Sequence, residues 1–259
     1  KTTQLIDAFR ASNTDKNVCI TQGFIGHTEE NFTTTLGREG SDFTAGIIAY
    51  CTNAHSVTIW KDVPGMLNAD PKWFDNTVKL DRISFKEAIE LAYYGASVIH
   101  PKTIKPLQNK RIPLFVKSFV DPSAPGTIIQ ESTENDHLIP SFIFKVNQVL
   151  LSITPKDFSF IVEENLSDIF GKLALAGGHI NIMQNSAVSF TVCLDIEDLR
   201  LNKLVDLLSE DYVVRYNRGL ELVTIRHFDQ ATIDRVTNHR EILMEQKTRH
   251  TARIVMKNV

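Results

Sequence analysis

The stretch TTTLGREGSD, residues 33–42, gathers Arg38, Gly40, Ser41 and Asp42 into one short loop, with a second glycine at position 37. A guanidinium between two glycines grips a carboxylate or phosphate through paired hydrogen bonds, and glycine lets such a ligand approach the main chain. Ser41 and Asp42 are N-cap residue types, and Phe43 to Tyr50 reads as the Ala- and Ile-rich helix they would start. A helix start offers free N–H groups and partial positive charge, so it attracts anions. A structural turn before a helix has the same local pattern, and a solvated surface arginine would look identical.

Elements on both sides must position this loop. VCITQG (18–23) predicts a buried strand ahead of it, and SVTIW (56–60) a second strand after its helix. That strand runs into KDVPG, which puts Lys61 and Asp62 at the C-terminal strand edge where ligands gather in open α/β sheets. SFKEAIELAYYGA predicts a helix with Phe85, Ala88, Ile89 and Ala92 on one face, a Ser84/Glu87 capping box, and a stop at Gly95. A short strand in SVIH, a helix begun near Pro101 and a strand in IPLFVKSF complete this half. His100 is expected to be a packed, hydrogen-bonded residue rather than a metal ligand. Residues 130–140, QESTENDHLIP, read as a linker.

The second half has a different rhythm. Val149 to Thr154 predicts a strand, and Asn165 to Ala176 a helix with Leu166, Ile169, Phe170 and Leu173 inward, closed by Gly177 and Gly178. HINIMQ and AVSFTVCL form a hairpin, Glu197 to Leu208 a helix, and YVVRY a strand; this is the ferredoxin-like order. After a turn at NRG (217–219) a shorter variation begins with LELVTIR, a helix from about Gln230, EILMEQ and TARIVMK. Asparagine amides and a serine on the hairpin suit the ammonium and carboxylate of an α-amino acid, and QNSA is equally an ordinary polar turn. Two such units in tandem imply side-by-side sheets, or pairing with another subunit to cover exposed edges.

At 259 residues the chain is long enough for two domains, and 42% hydrophobic with 23% charged residues is an ordinary globular balance. A net charge of −3 with mixed signs gives no basic stripe for nucleic acid and no polybasic membrane patch, so small molecules are the expected ligands. No apolar run approaches the ~20 residues of a membrane span, and a cytoplasmic location is the default expectation. Cys19, Cys51 and Cys193 lack paired spacing and read as small buried hydrophobes.

Several motifs together resemble the aspartokinases of the amino acid kinase family. They are TTTLGREGSD, IWKDVPG with NADP after it, ELAYYGASVIHP, IPLFVKSF followed by APGTII, and the INIMQNSAVSF hairpin, in family order across most of residues 18–259. The resemblance implies an α/β fold: the C-terminal part of a carbamate-kinase-like α/β sandwich over residues 1–132, followed by ferredoxin-like ACT domains, one over 141–218 and an abbreviated one over 219–259. It implies phosphoryl transfer from Mg-ATP to the side-chain carboxylate of L-aspartate, with Arg38, Gly40, Ser41 and Asp42 on the substrate. Arg38 would take a carboxylate and Asp42 would lie near the amino group. Lys61, Asp62, Leu67, Lys72 and Ser97 would line the ATP site. A feedback amino acid, lysine or threonine, would bind the ACT half near Ser159, Asn181, Asn185 and Ser186, at a homodimer interface.

Departures from the family pattern are visible. Lys61 stands where many members have threonine, Leu67 for tyrosine, Lys72 for arginine, Ser97 for lysine and Glu39 for a frequent glycine. No KFGG-type segment, whose lysine contacts ATP phosphates, precedes Val18, so the chain is expected to be a fragment with little kinase activity alone. Its end shortly after TARIVMK is the pattern of a monofunctional member. The rival readings are an amino-acid-binding regulatory module without catalysis, and another amino acid kinase such as one acting on glutamate; the ACT-like units and the motif set argue against the second.

Overall fold

The computed structural model describes residues 1–96 and 98–258; Ser97, expected in the nucleotide site, lies outside them. The chain divides into two units, Lys1–Ile143 and the residues from Phe144 onward.

The first unit begins with α1 (Thr2–Ser12) and a hairpin of β1 (Ile25–His27) and β2 (Thr33–Thr35), followed by α2 (Gly40–Thr52) and β3 (Val57–Lys61). Next come β4 (Arg82–Ser84), α3 (Phe85–Tyr94), α4 (Pro101–Lys110), β5 (Leu114–Ser118) and β6 (Thr127–Gln130). The four longer-range strands form a sheet in the order β3-β5-β6-β4, with β3 parallel to β5 and β4 parallel to β6. Val57 and Ile59 alternate inward on β3, Leu114 and Val116 on β5, and they pack with Ile83, Ala88, Leu91, Ile104 and Leu107 in one core. Ser84 caps α3, its hydroxyl accepting from Glu87 N at 2.9 Å, and its own N–H donates to Asp136 Oδ1 at 2.7 Å, so the Ser84 half of the expected capping box is present. His100 proves to be the N-cap of α4, its Nδ1 accepting from Lys102 N at 3.1 Å, with Pro101 at the first helical position.

Four local expectations are corrected in this unit. Residues 18–23 form no strand, and Val18 and Ile20 are 78% and 93% exposed. An apolar run becomes a buried strand only when another layer covers it, and no described element does so here. Cys19 on that run is exposed, whereas Cys51 and Cys193 are buried. Val98–His100 is bend and coil leading into α4 rather than strand. The N-cap of α2 is Glu39, in the left-handed region at φ 55, so Ser41 and Asp42 fall inside the first helical turn.

Strand β7 (Ser141–Pro155) starts in the first unit and carries the chain into the second. There follow α5 (Glu163–Ala176), β8 (His179–Asn185), β9 (Phe190–Asp195), α6 (Asp198–Leu208), β10 (Tyr212–Arg226), α7 (Gln230–Thr237), β11 (Arg240–Lys247) and β12 (Thr251–Asn258). The sheet order is β11-β12-β10-β7-β9-β8, whose last four strands, with α5 and α6, have the ferredoxin-like arrangement. Val149, Leu151, Ile153, Val192 and Leu194 face Ile169, Leu173, Leu201 and Leu204 of the two helices. Phe170, expected inward, is 38% exposed and meets Phe190 edge-on.

On the opposite face Leu150, Ile182 and Cys193 pack with Leu220, Leu222, Met244 and Val255. Three strands separate β12 from β8 in the sheet order, yet Arg253 Nη1 donates to the Asn181 carbonyl at 2.6 Å. The sheet therefore folds over, and its two ends share this second core. The expected turn at NRG is absent: β10 continues through it, with Gly219 at φ +66. Glycine here bends a strand instead of reversing the chain.

Candidate active site

The loop between β2 and α2 is fixed by the main chain. Leu36 N donates to Phe24 O at 2.8 Å, Phe24 N donates to the Thr44 hydroxyl at 3.0 Å, and that hydroxyl donates to Gly40 O at 2.9 Å. Gly40 is buried because a Cβ there would lie 2.8 Å from the Phe24 ring and 3.0 Å from Leu36 Cβ. Arg38 and Ser41 stay exposed at the start of α2, while Asp42 turns inward at 9% exposure.

Asp42 meets the end of β3. Lys61 Nζ lies 2.7 Å from Asp42 Oδ2, with both side chains mostly covered. Parallel pairing sets Lys61 opposite Ser118, and Phe119 N donates to Lys61 O at 2.6 Å. The C-terminal edge of the sheet thus brings together a fixed cation, a fixed carboxylate, the free donors of a helix start and an exposed guanidinium. Such a set has the chemistry to hold a zwitterion beside a polyanion. Glu39 Oε2 is buried beside it without a hydrogen-bond partner.

Residues 62–80 form a long loop after β3. Asp62 and Lys72 are exposed on it, and Leu67 is half-buried and bridged to Lys79. Lys72 N donates to Asp70 Oδ1 at 2.9 Å in a side-chain-capped turn. The loop is anchored to β6 by Thr127, whose hydroxyl accepts from Met66 N at 2.8 Å and donates to Leu80 O at 2.6 Å. A concavity of about 1320 Å³ lies elsewhere, between α1, residues 16–21 and α2, and none of the candidate residues lines it.

In the second unit Ser159 is exposed in the loop after β7, its N–H donating to Asp157 Oδ1 at 3.0 Å, a bond that leads in holding the Asp157 carboxyl below its usual range. Ile161 N donates to Ala187 O at 2.9 Å, which brings this loop beside the β8–β9 turn carrying Asn185 and Ser186. Ser186 is occupied within the turn by Ser189 at 2.7 Å. Asn181 stands apart, buried at 8% exposure. Its Oδ1 accepts from Lys145 Nζ at 2.8 Å and its Nδ2 donates to Gln148 Oε1 at 2.6 Å. Burial, with Arg253 nearby, lowers the Lys145 pKa against the opposing pull of Asp195 and Cys193.

Residues 2–118 match the amino acid kinase family. Over 219 residues the chain is 36% identical to the lysine-sensitive aspartokinase 3 of Escherichia coli (strain K12), a match covering 82% of this chain and 48% of that protein. Residues 2–118 belong to the amino acid kinase family, and the chain's relatives are aspartokinases. The solved structure of E. coli aspartokinase III in complex with lysine and aspartate (T-state) superposes with a TM-score of 0.78 at 32% identity, over 98% of this chain and 60% of that one. The same enzyme in complex with aspartate and ADP (R-state) gives 0.73 at 31% identity, over 98% and 61%. This aspartokinase relative therefore spans about half the length of the curated protein it matches.

Within the aspartokinase motifs, sequence reading missed the direct pairing of Lys61 with Asp42, having assigned them to different ligands. It also missed Ser118, whose hydroxyl accepts from Val120 N and Asp121 N, both at 3.2 Å, and shapes the loop beside Lys61. The signal for Ser118 was its place at the end of a strand parallel to β3.

Proposed function

We propose that the chain serves aspartate kinase chemistry: transfer of the terminal phosphoryl group of Mg-ATP to the side-chain carboxylate of L-aspartate, giving 4-phospho-L-aspartate and ADP. The observation that carries this is the cluster at the start of α2, with Lys61 held 2.7 Å from Asp42 at the sheet edge. The Arg38 guanidinium pairs with a substrate carboxylate, the Ser41 main chain supplies a donor beside Gly40, whose own N–H is held by Gly37 O, and Asp42 receives the substrate ammonium. Lys61 then faces the phosphates, with Asp62, Leu67 and Lys72 along the nucleotide; Ser97 completes the expected set. A carboxylate oxygen attacks the terminal phosphorus, the bond to the bridging oxygen breaks and the electron pair leaves with ADP. No proton has to move, so the protein's contribution is alignment and charge neutralisation. Mg²⁺ arrives on the nucleotide's phosphates.

The aspartate- and ADP-bound states of the E. coli relative support this reading, and its lysine-bound state supports a sensor in the second unit. We assign residues 1–132 to the kinase domain and 141–218 and 219–259 to ACT-like units. Lysine or threonine would sit near Ser159, Asn185 and Ser186, with Asn181 acting through the strand it anchors, in a cytoplasmic homodimer. Among the described residues no helix is long and apolar enough to cross a membrane.

Calorimetric titration with aspartate and Mg-ATP tests the catalytic half. Saturable aspartate binding that Arg38→Ala weakens at least about tenfold, the scale of one lost charge-assisted pair, is the expected result. Aspartate binding indifferent to Arg38→Ala would sink the assignment.

A further inference from the structure

Asn68 spends its hydrogen-bonding groups on the far side of its own loop and on one segment distant in sequence. It is 9% exposed, in the middle of the loop that follows β3. Its N–H donates to Val78 O at 2.9 Å, and its Oδ1 accepts from Val78 N at 2.7 Å, which closes the loop on itself. Its Nδ2 donates to Pro140 O at 3.0 Å, and its own carbonyl accepts from Phe142 N at 2.7 Å. Alongside, the Phe74 and Phe142 rings lie 5.0 Å apart.

We propose that Asn68 is a positioning residue that fastens the nucleotide-side loop to the start of β7, so that loop and strand move as one body. The proposal rests on the reading of Leu67 and Lys72 as nucleotide-lining residues, which flank Asn68 in the same loop. A packing role alone would be met by any small buried side chain. The donor to Pro140 and the acceptor for Val78 need a planar amide of this length. β7 continues from this anchor into the second unit with a left-handed residue, Asn147 at φ 57, on the way, and a shift of its first residues would reach Leu67 and Lys72 through Asn68.

Asn68→Asp keeps the acceptor for Val78 and replaces the donor to Pro140 with an oxygen facing a carbonyl; Asn68→Ala removes both bonds. Hydrogen exchange on the full chain is expected to accelerate together in residues 66–80 and 140–146, by about tenfold or more in either variant, with β5 and β9 unchanged. Acceleration in only one of the two segments overturns the proposal. If Asn68→Asp exchanges globally because it fails to fold, Asn68→Ala decides by the same pattern.

Mg-ATP titration separates this inference from the functional reading beneath it. Nucleotide affinity reduced about tenfold in the variants, with aspartate affinity unchanged, supports both. Absence of nucleotide binding in the wild-type chain removes the nucleotide role of the loop, and paired exchange still upholds the fastening. Unchanged nucleotide affinity beside altered exchange overturns the positioning role.

Discussion

Lys61 and Asp42 form an ion pair at 2.7 Å that joins the end of the first long strand to the first turn of the helix that precedes it. With side chains 25% and 12% exposed, each would leave the other's charge poorly solvated if removed. Lys61→Met and Asp42→Asn are each expected to destabilise by about 1–3 kcal/mol, and the double variant by less than their sum. Urea unfolding of the four-member cycle measures the coupling; strict additivity would mean the pair is solvent-screened.

Glu39 occupies a left-handed conformation at φ 55 and buries Oε2 without a partner. Glycine adopts that conformation without strain, so Glu39→Gly is expected to stabilise the fold by about 1 kcal/mol despite its looser unfolded chain. A lower denaturation midpoint would show that the carboxylate makes an attraction outweighing both costs.

Ser84 caps α3 and also donates its hydroxyl to Asp136 Oδ2 at 2.6 Å, while its N–H donates to Oδ1 at 2.7 Å. Ser84→Ala loses the cap and one of the two bonds holding the residue 131–140 segment. The expected cost is about 2 kcal/mol, read from the denaturant midpoint; a change within experimental scatter would refute the capping account.

The three cysteines should differ sharply in reactivity. Burial is the main cause pushing the Cys193 thiol up to about 12, against the opposing influence of Arg253 and Lys145. At pH 8 its thiolate fraction is only about 10⁻⁴, and Cys51 is buried, so a thiol reagent should modify Cys19 alone in the native protein and all three in denaturant. Rapid native modification of two or more would contradict the burial pattern.

Two lysines should give opposite alkaline signatures. At Lys172 burial pulls the pKa down, but hydrogen bonds to Asp211 and Asp168 and their charges prevail, and the net value is raised above 10.5. Its contribution is full below 10.5 and is lost as pH rises through the folded value. The lowered pKa of Lys145 means the folded state releases that proton first, so stability gains as pH climbs from the folded value toward 10.5. Relative to wild type, Lys172→Met should lose its deficit above this window, and Lys145→Met should lose its advantage within it. Thermal unfolding from pH 7 to 11 checks both slopes; equal slopes would refute the opposition.

Local rules carried much of the fold. The cap and stop of α3, the alternation along β3 and β5, and the ferredoxin-like order each depend on neighbours in sequence. The same rules failed where distant contacts decide. Ser41 and Asp42 have N-cap chemistry, yet the loop geometry gives the cap to Glu39. The bonds of the Asn181 amide to Lys145 and Gln148 on another strand were equally hidden from the hairpin's own sequence. Lys61 with Asp42, and Asn68 with Pro140, meet only because the fold closes gaps that no periodicity reveals. The run at 18–23 departs from a buried strand for the opposite reason: apolarity states a need for cover without saying that cover is present.

Strand β10 belongs to both halves of the second unit, pairing with β12 through Glu221–Arg226 and neighbouring β7 in the ferredoxin-like half. Recombination exchanges modules cleanly only where the chain between them is free. A crossover at Arg218–Gly219 would split one continuous strand and leave two raw sheet edges, so a chimaera joined there would lose the strand that both halves share.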